Sequence, residues 1–380
     1  MTMNRTALFL ILSLLWLGGV LRAQSTVAAS GTNVPTLTLE TGRDIFEAAC
    51  IGCHGPGGRG QPQTTLGFEL PATFPDFSDC NGSTREKTYD WRAVIHEGGV
   101  GRGFSEIMPS FAEALTADQI AKVMAYMREQ CPEPEWPLGE LNFPRALITE
   151  KAFPEDEWLL LTAVNASGDG RVSNRLFYEK RFGARNQLEF AAPVGFQAGP
   201  DGWVGGVGDL VAGYKRVLHS SLASGTILSA QAEVAIPTGD DARQLGSGTT
   251  LFETFATAGK ILPGLAFVQT QSGVELPVDT EKAPRAAFVR MAIGKTFPAN
   301  QGFGRSWTPM FEVLADREFE TGARTNWDIV PEVQVTLNKR QHVRVNLGIR
   351  QPVNNRAGRS TQLVFYTLWD FFDGGLRDGW

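Results

Sequence analysis

Apolar and polar positions follow two different periods along this chain. Up to about residue 131 the apolar side chains recur at helical spacing. Ile45, Phe46 and Ala49 share one face, with Asp44 near the start of that helix. Leu115, Ile120, Val123, Tyr126 and Met127 mark a later helix, opened by Thr116 and Gln119 in a capping-box pattern. From Trp158 onward the helical period gives way to strict alternation. Val343, Val345, Leu347 and Ile349 oppose His342, Arg344, Asn346, Gly348 and Arg350, and Leu188, Phe190, Val194 and Phe196 oppose Gln187, Glu189 and Gln197. Twelve such segments are predicted, beginning near Trp158, Arg175, Gln187, Val207, Thr226, Thr250, Gly264, Arg285, Thr308, Asp328, Gln341 and Ser360.

Each segment is close to the ~9–11 residues of a tilted membrane strand, and an even number fits a bacterial barrel. A soluble β-sandwich would show the same alternation with its apolar face inward. Connection lengths favour the barrel. Gly183–Asn186, Gly259–Pro263 and Lys339–Arg340 read as short inner turns, and Thr238–Gly248 and Val274–Pro284 as long outer loops. Phe297–Ser306 is longer than an inner turn should be. Trp158, Trp203, Trp307, Trp327, Trp369, Phe371 and Phe372 lie near segment ends, where they could form interfacial girdles. Arg290, Arg344, Glu179, Glu233, Glu312 and Glu332 are predicted to face the lumen, either as bracing ion pairs or as the lining of a path.

The N-terminus adds a compartment. Arg5 precedes the nearly all-apolar run Leu8–Leu21, and Leu21-Arg22-Ala23 offers a cleavage site, so residues 1–23 read as an export signal. An uncleaved anchor helix is the other reading. Charge is uneven: residues 24–145 carry 16 acidic and 9 basic side chains, a balance of −7 within a net −6. Neither half has the basic surface of a nucleic-acid binder.

Cys50-Ile51-Gly52-Cys53-His54 is a C-x-x-C-H motif, the attachment sequence of c-type haem. Two thiols one turn apart can add to the two haem vinyl groups and place the adjacent His under the iron. A redox C-x-x-C would want a βαβ context, and a zinc site would want a second Cys/His pair; neither is present. Gly98-Gly99-Val100-Gly101 and Ile107-Met108-Pro109 follow. Over roughly residues 38–131 the chain resembles a class I cytochrome c domain. The resemblance implies one haem c held covalently by Cys50 and Cys53, with His54 and Met108 as iron ligands. With both axial positions filled, electron transfer is favoured over oxygen chemistry, and no catalytic residue is expected. Met124 and Met127 read better as core, and His96 as a loop residue that could compete with Met108. Cys80 and Cys131 are disulfide candidates in an oxidising compartment, with two free thiols as the alternative.

The predicted organisation is therefore multidomain. A signal (1–23) precedes an all-α cytochrome domain (24–131). A proline-rich linker (132–157) then leads into an antiparallel transmembrane β-barrel of about 12 strands (158–380). The linker's prolines predict an extended, semi-rigid connection. Around Gly208-Asp209-Leu210 and Gly213-Tyr214-Lys215 the barrel is similar to the phenol-degradation meta-pathway outer-membrane family. The tail Asp373–Trp380 departs from that pattern, in which the chain ends at the strand. The fusion resembles the outer-membrane cytochrome–porins. It implies an electron-transfer protein of the bacterial outer membrane, more than a substrate-converting enzyme, with its cytochrome facing the periplasm. A folded domain of ~100 residues is too wide for such a lumen and would cap the barrel's mouth. Expected partners are a periplasmic electron carrier or small redox donor or acceptor, membrane lipid and the barrel-assembly machinery. A transport channel with a cytochrome cap, or a soluble cytochrome with a β-sandwich, are the competing readings.

Overall fold

The computed structural model describes residues 38–71, 74–200, 202–299 and 304–380; the expected signal lies outside them. Helix α1 (Gly42–Ala49) starts at a reciprocal capping box. The Thr41 hydroxyl accepts from Asp44 N–H, and the Asp44 carboxylate accepts from Thr41 N–H, both at 3.1 Å. The short α2 (Ile51–His54) carries the haem motif, followed by α3 (Cys80–Ser83) and α4 (Thr88–Glu97). Helix α5 (Ala117–Arg128) opens at Thr116 and Gln119 with a second capping box. Its Ile120, Val123, Met124 and Met127 pack with Ile45, Phe46, Phe77, Ile95 and Leu115 into the core of the helical part. Helices α1 and α5 cross at Gly42, where a Cβ would stand 2.1 Å from Lys122 O. Any larger residue there pushes the two helices apart.

The strands are β1 (Asp156–Asn165), β2 (Arg171–Phe182), β3 (Asn186–Gly199), β4 (Gly202–Val207), β5 (Leu210–Ser221), β6 (Thr226–Ile236) and β7 (Leu251–Leu262). They continue as β8 (Ala266–Pro277), β9 (Ala286–Lys295), β10 (Phe297–Pro298), β11 (Ser306–Glu318), β12 (Asn326–Thr336), β13 (Val343–Pro352) and β14 (Gln362–Asp370). Each pairs antiparallel with its neighbours. Strands β4 and β5 lie end to end along β3 and form one stave. The β10 stub pairs only with the start of β11, which accounts for the long Phe297–Ser306 connection. Pairing of β14 with β1 closes the sheet into a barrel of 12 staves. The turn expected at Gly259–Pro263 falls at 263–265 instead, because β7 keeps its pairing to Leu262.

The alternation is inverted relative to a soluble sheet. Leu160, Phe190, Phe196, Leu228, Ile293, Leu347 and Ile349 are exposed on the outside, while Glu157, Glu179, Gln187 and Glu312 are fully buried inside. An apolar belt of that extent facing outward is a lipid-facing surface, so the strands form a transmembrane β-barrel. No helix among the described residues is long and apolar enough to cross a membrane. Phe297 stacks on Trp307, and Trp158 packs on Tyr178, at the end that carries the short turns. Trp203 and Trp327 are exposed near the opposite end. Phe372 is not part of a girdle: the Arg85 guanidinium lies 4.1 Å above its ring, so it faces the helical domain.

The segment read as a semi-rigid connection runs inside the barrel and plugs it. Leu141, Phe143, Ala146, Ala152 and Phe153 pack with Val217, Ile227, Phe267, Ala292 and Met310 of the wall. Leu147 packs with Leu159, Phe177, Leu314, Val330 and Leu368. This chain therefore forms the barrel's core, and the prolines only lead into and out of it.

Candidate functional site

Helix α2 places Cys50 one turn before His54, whose N–H donates to Cys50 O at 2.9 Å. Both Cys50 and Cys53 are free, half-buried thiols, whereas Cys80 and Cys131 are joined in a disulfide. The His54 ring is 9% exposed, stacks on Phe74 at 5.0 Å and packs against Phe77 at 5.2 Å. Its Nδ1 is buried without a hydrogen-bond partner. Burial pushes the imidazole down to about 4, which keeps it neutral and able to ligate. Burial also pushes the Cys50 thiol up to about 11, so it stays a thiol until it reacts. These residues fit a covalently attached haem: two reduced thiols and one neutral imidazole share a single turn.

Met108 lies on the loop after α4 and packs against the same apolar core as Cys50 and Ile51. Gly98 and Gly99 make that loop possible. A Cβ on Gly98 would stand 2.9 Å from Met108 O, and one on Gly99 2.1 Å from Ser105 O. Gly99 N–H donates to Met108 O at 3.0 Å, and the Ser110 hydroxyl donates to His96 O at 2.6 Å. His96 pairs with Glu97 at 2.6 Å on the surface. Met124 and Met127 are buried in the core.

The helical domain sits on the short-turn mouth of the barrel. Arg85 pairs with Asp156 at the first residue of β1. Gly139 N–H donates to Thr84 O at 2.7 Å, and Thr88 N–H donates to Glu140 at 2.7 Å. The C-terminal tail closes the seam: Lys339 N–H donates to Gly379 O at 2.7 Å, and Asn338 donates to Asp378 O at 2.9 Å. Arg340 then donates to Gly103 O and stacks over Phe104 at 4.4 Å, four residues from Met108. A small polar chamber of about 60 Å³ lies along this seam, with Arg85, Asp90, Arg102, Arg344, Asp370 and Asp373 in its walls. Burial here holds the Lys87 ammonium down to about 8.

All six charged residues expected in the lumen are there, and the plug engages half of them. Glu312 accepts from Ile148 and Thr149 N–H at 3.0 and 2.6 Å, and Glu332 from Leu147 N–H at 2.9 Å. Glu179 pairs with Arg145, which also holds Glu157 at 2.8 Å and Glu150 at 3.0 Å. Arg290 donates to Gln271, Gln231 donates to Glu233, and Arg344 faces the chamber. Sequence reasoning missed the plug's own contribution, Arg145, Glu150 and Lys151. The available signal was composition: Leu141, Phe143, Ala146, Leu147, Ile148 and Phe153 are too apolar for a solvated connection.

A capped helix, a C-x-x-C-H turn and a Met loop packed on one apolar core define a c-type cytochrome domain. Residues 39–130 match the family model for cytochrome c. The curated cytochrome c6 of Picosynechococcus sp. is 30% identical over 114 residues, covering 30% of this chain and 90% of that protein. Through this domain the chain belongs to the cytochrome c family, whose members carry covalently bound haem c and transfer electrons. Among solved structures, a KdgM porin is similar at 10% identity and a TM-score of 0.39, over 57% of this chain and 99% of that one. An outer membrane channel from Pseudomonas putida F1 is similar at 16% identity and a TM-score of 0.41, over 60% of this chain and 99% of that one.

Proposed function

We propose that this protein transfers electrons at or across the bacterial outer membrane. It would do so through one haem c attached at Cys50 and Cys53 and ligated by His54 and Met108, with the cytochrome on the periplasmic side. When bound, that group supplies a one-electron iron couple, and His/Met ligation favours the ferrous form. The chain's own residues do the rest. Burial keeps His54 neutral, Gly98 and Gly99 let the Met108 loop fold back on α4, and Phe74, Phe77 and the core around Phe46 exclude water. The tail and Arg340 hold the Met108 side of the domain against the barrel.

The observation that carries this reading is the plug. A cytochrome seated on a barrel whose lumen is occupied by a plug of its own chain suits electron passage or exchange at a membrane face. It suits solute permeation poorly, which disfavours the channel reading. The inverted surface disfavours the soluble sandwich. Short turns at the cytochrome's end support the periplasmic orientation, because outer-membrane barrels keep short turns there. The partner would be a periplasmic carrier or a small redox molecule.

In intact cells, the haem signal is expected to change on addition of a membrane-impermeant oxidant or reductant outside. No response, together with ion conductance of the pure protein in bilayers, would instead establish the channel. Met108→Ala is expected to abolish the low-spin spectrum and lower the potential by about 0.1 V, within the ~0.8 V range that axial ligands span. An unchanged spectrum and potential would remove Met108 from the ligand set.

A further inference from the structure

One row of the barrel wall is built from carboxylates. Strand register sets Asp370 opposite Glu157, Glu157 opposite Glu179, and Glu179 opposite Glu189. Glu189 faces Gly213, Gly213 faces Glu233, Glu233 faces Glu253 and Glu253 faces Glu275. Directly opposed residues share a face of the sheet, so the row lines the lumen across eight consecutive staves. Because barrel strands tilt, a row along the pairing direction also climbs the wall. It starts at Asp370 in the chamber beside the cytochrome and ends at Glu275, near the long-loop end of β8.

Seven acids in register are costly. Like charges directly opposite destabilise a sheet, and buried unpaired charges cost several kcal/mol each. Cations match only the inner part: Arg145 holds Glu157 and Glu179, and Lys151 lies 3.5 Å from Glu157. Glu189, Glu233, Glu253 and Glu275 form no ion pair within 4.0 Å among the described residues. The charged groups facing them are Glu150 of the plug, Lys215 of β5, Arg175 of β2, Arg290 of β9 and Asp316 of β11. Such a row is stable when its members share protons.

The one position without a side chain is bridged. A Cβ on Gly213 would lie 2.9 Å from Glu233 Cγ and 3.5 Å from Glu189 Cβ, so the two glutamates lean over the gap. Gln231 Nε2 donates to Glu233 at 2.6 Å and reaches Glu189 at 3.4 Å. Gln231 is 4% exposed, yet its Oε1 has no donor. Lys215 is 1% exposed, makes no hydrogen bond and comes within 4.0 Å of Glu150. A buried acceptor among carboxylates and a buried ammonium short of its partner call for protonated carboxyls and bridging water. A metal ion is not needed at Glu150, Glu179 and Glu189, since Arg145 and Lys215 already supply the positive charge there.

We propose that this row is a proton relay along the lumen wall, joining the chamber beside the cytochrome to the outer mouth. A proton taken up at Asp370 or Glu157 passes by Glu179 to Glu189, crosses the gap at Gly213 through bridging water to Glu233, and goes on by Glu253 to release at Glu275. Each hop breaks one O–H bond and forms the next, so the row's charge is unchanged after passage. Chains of acidic side chains serve this purpose in other membrane proteins. The plug meets the first members of the row through Arg145, and the row runs on along the wall beyond it. The proposal does not depend on the haem ligands or on the direction of electron flow.

The full-length holoprotein in liposomes containing the pH dye pyranine tests it. A valinomycin–K⁺ potential is expected to drive a change in internal pH well above that of empty vesicles. Glu189→Gln and Glu233→Gln should each slow it at least tenfold, while Glu281→Gln on an outer loop leaves it unchanged. Heat-modifiable migration and the haem spectrum check that each variant is folded. Wild-type flux no greater than in empty vesicles would overturn the proposal. So would undiminished flux in both row variants, or K⁺ movement at the same rate without valinomycin.

Discussion

Arg145 holds the most connections of any side chain in the lumen. Its guanidinium binds Glu150, Glu157 and Glu179, and its carbonyl accepts from Tyr366 OH at 2.7 Å. Removing the cation leaves two fully buried carboxylates short of charge, Glu157 with only Lys151 at 3.5 Å and Glu179 with only the Gln187 amide at 2.9 Å. Arg145→Ala is therefore expected to cost about 3–5 kcal/mol, seen as a lower thermal midpoint of the folded barrel on gels. Lys87 gives a pH effect of definite sign. Its ammonium is held at about 8, below the 10.5 of an unhindered lysine. At neutral pH the unfolded chain binds that proton more tightly, which opposes folding. The opposition fades as pH rises through 8 toward 10.5. Lys87→Met should raise the midpoint at pH 7 and flatten its rise above pH 8, in melting curves taken from pH 7 to 10.

At the scale of elements, the plug and the disulfide do distinct work. Several backbone groups of the plug meet wall side chains. Gln187 accepts from Glu155 N–H at 2.7 Å, Gln271 from Glu150 N–H at 3.1 Å, and Gln269 donates to Pro144 O at 2.9 Å. Pairing of this kind is what lets irregular backbone lie at membrane depth. Replacing residues 141–153 by a Gly/Ser stretch is expected to convert a silent bilayer recording into stepwise conductance. An unchanged recording would mean that another element blocks the lumen. The disulfide acts on the cytochrome part, closing a loop of 51 residues between α3 and the end of α5. Loop entropy alone makes it worth about 4 kcal/mol. Cys80→Ser with Cys131→Ser should lower the unfolding midpoint of the haem domain while leaving barrel migration unaltered.

At the scale of the whole molecule, residues Thr38–Trp380 behave as one compact unit, because three separate segments cross the seam. The plug enters from the cytochrome, Arg85 reaches Asp156, and the tail ties the turn after β12 to Gly103. Ending the chain at Phe372 removes the third. That truncation should speed hydrogen exchange at residues 99–104 and spare α1 and α5. Equal exchange in both forms would show that the tail does not brace this loop.

Local signals carried much of this into the sequence. The Thr116/Gln119 cap, the C-x-x-C-H turn and the twelve alternating segments each depend on residues within a few positions of one another. Capping, haem attachment and pleating need no distant partner. The pattern alone did not say which face of the alternation meets lipid. That was decided by closure of β14 onto β1, which put Glu157 and Glu179 inside and Leu160 and Phe190 outside. Nor did it show that a proline-rich stretch would turn inward. The partners of Arg145 and Glu312 are remote in the chain and meet only in the closed barrel. The carboxylate row is the extreme case: each Glu reads singly as one polar position of an alternating strand. Only pairing register, a long-range property, sets them in line.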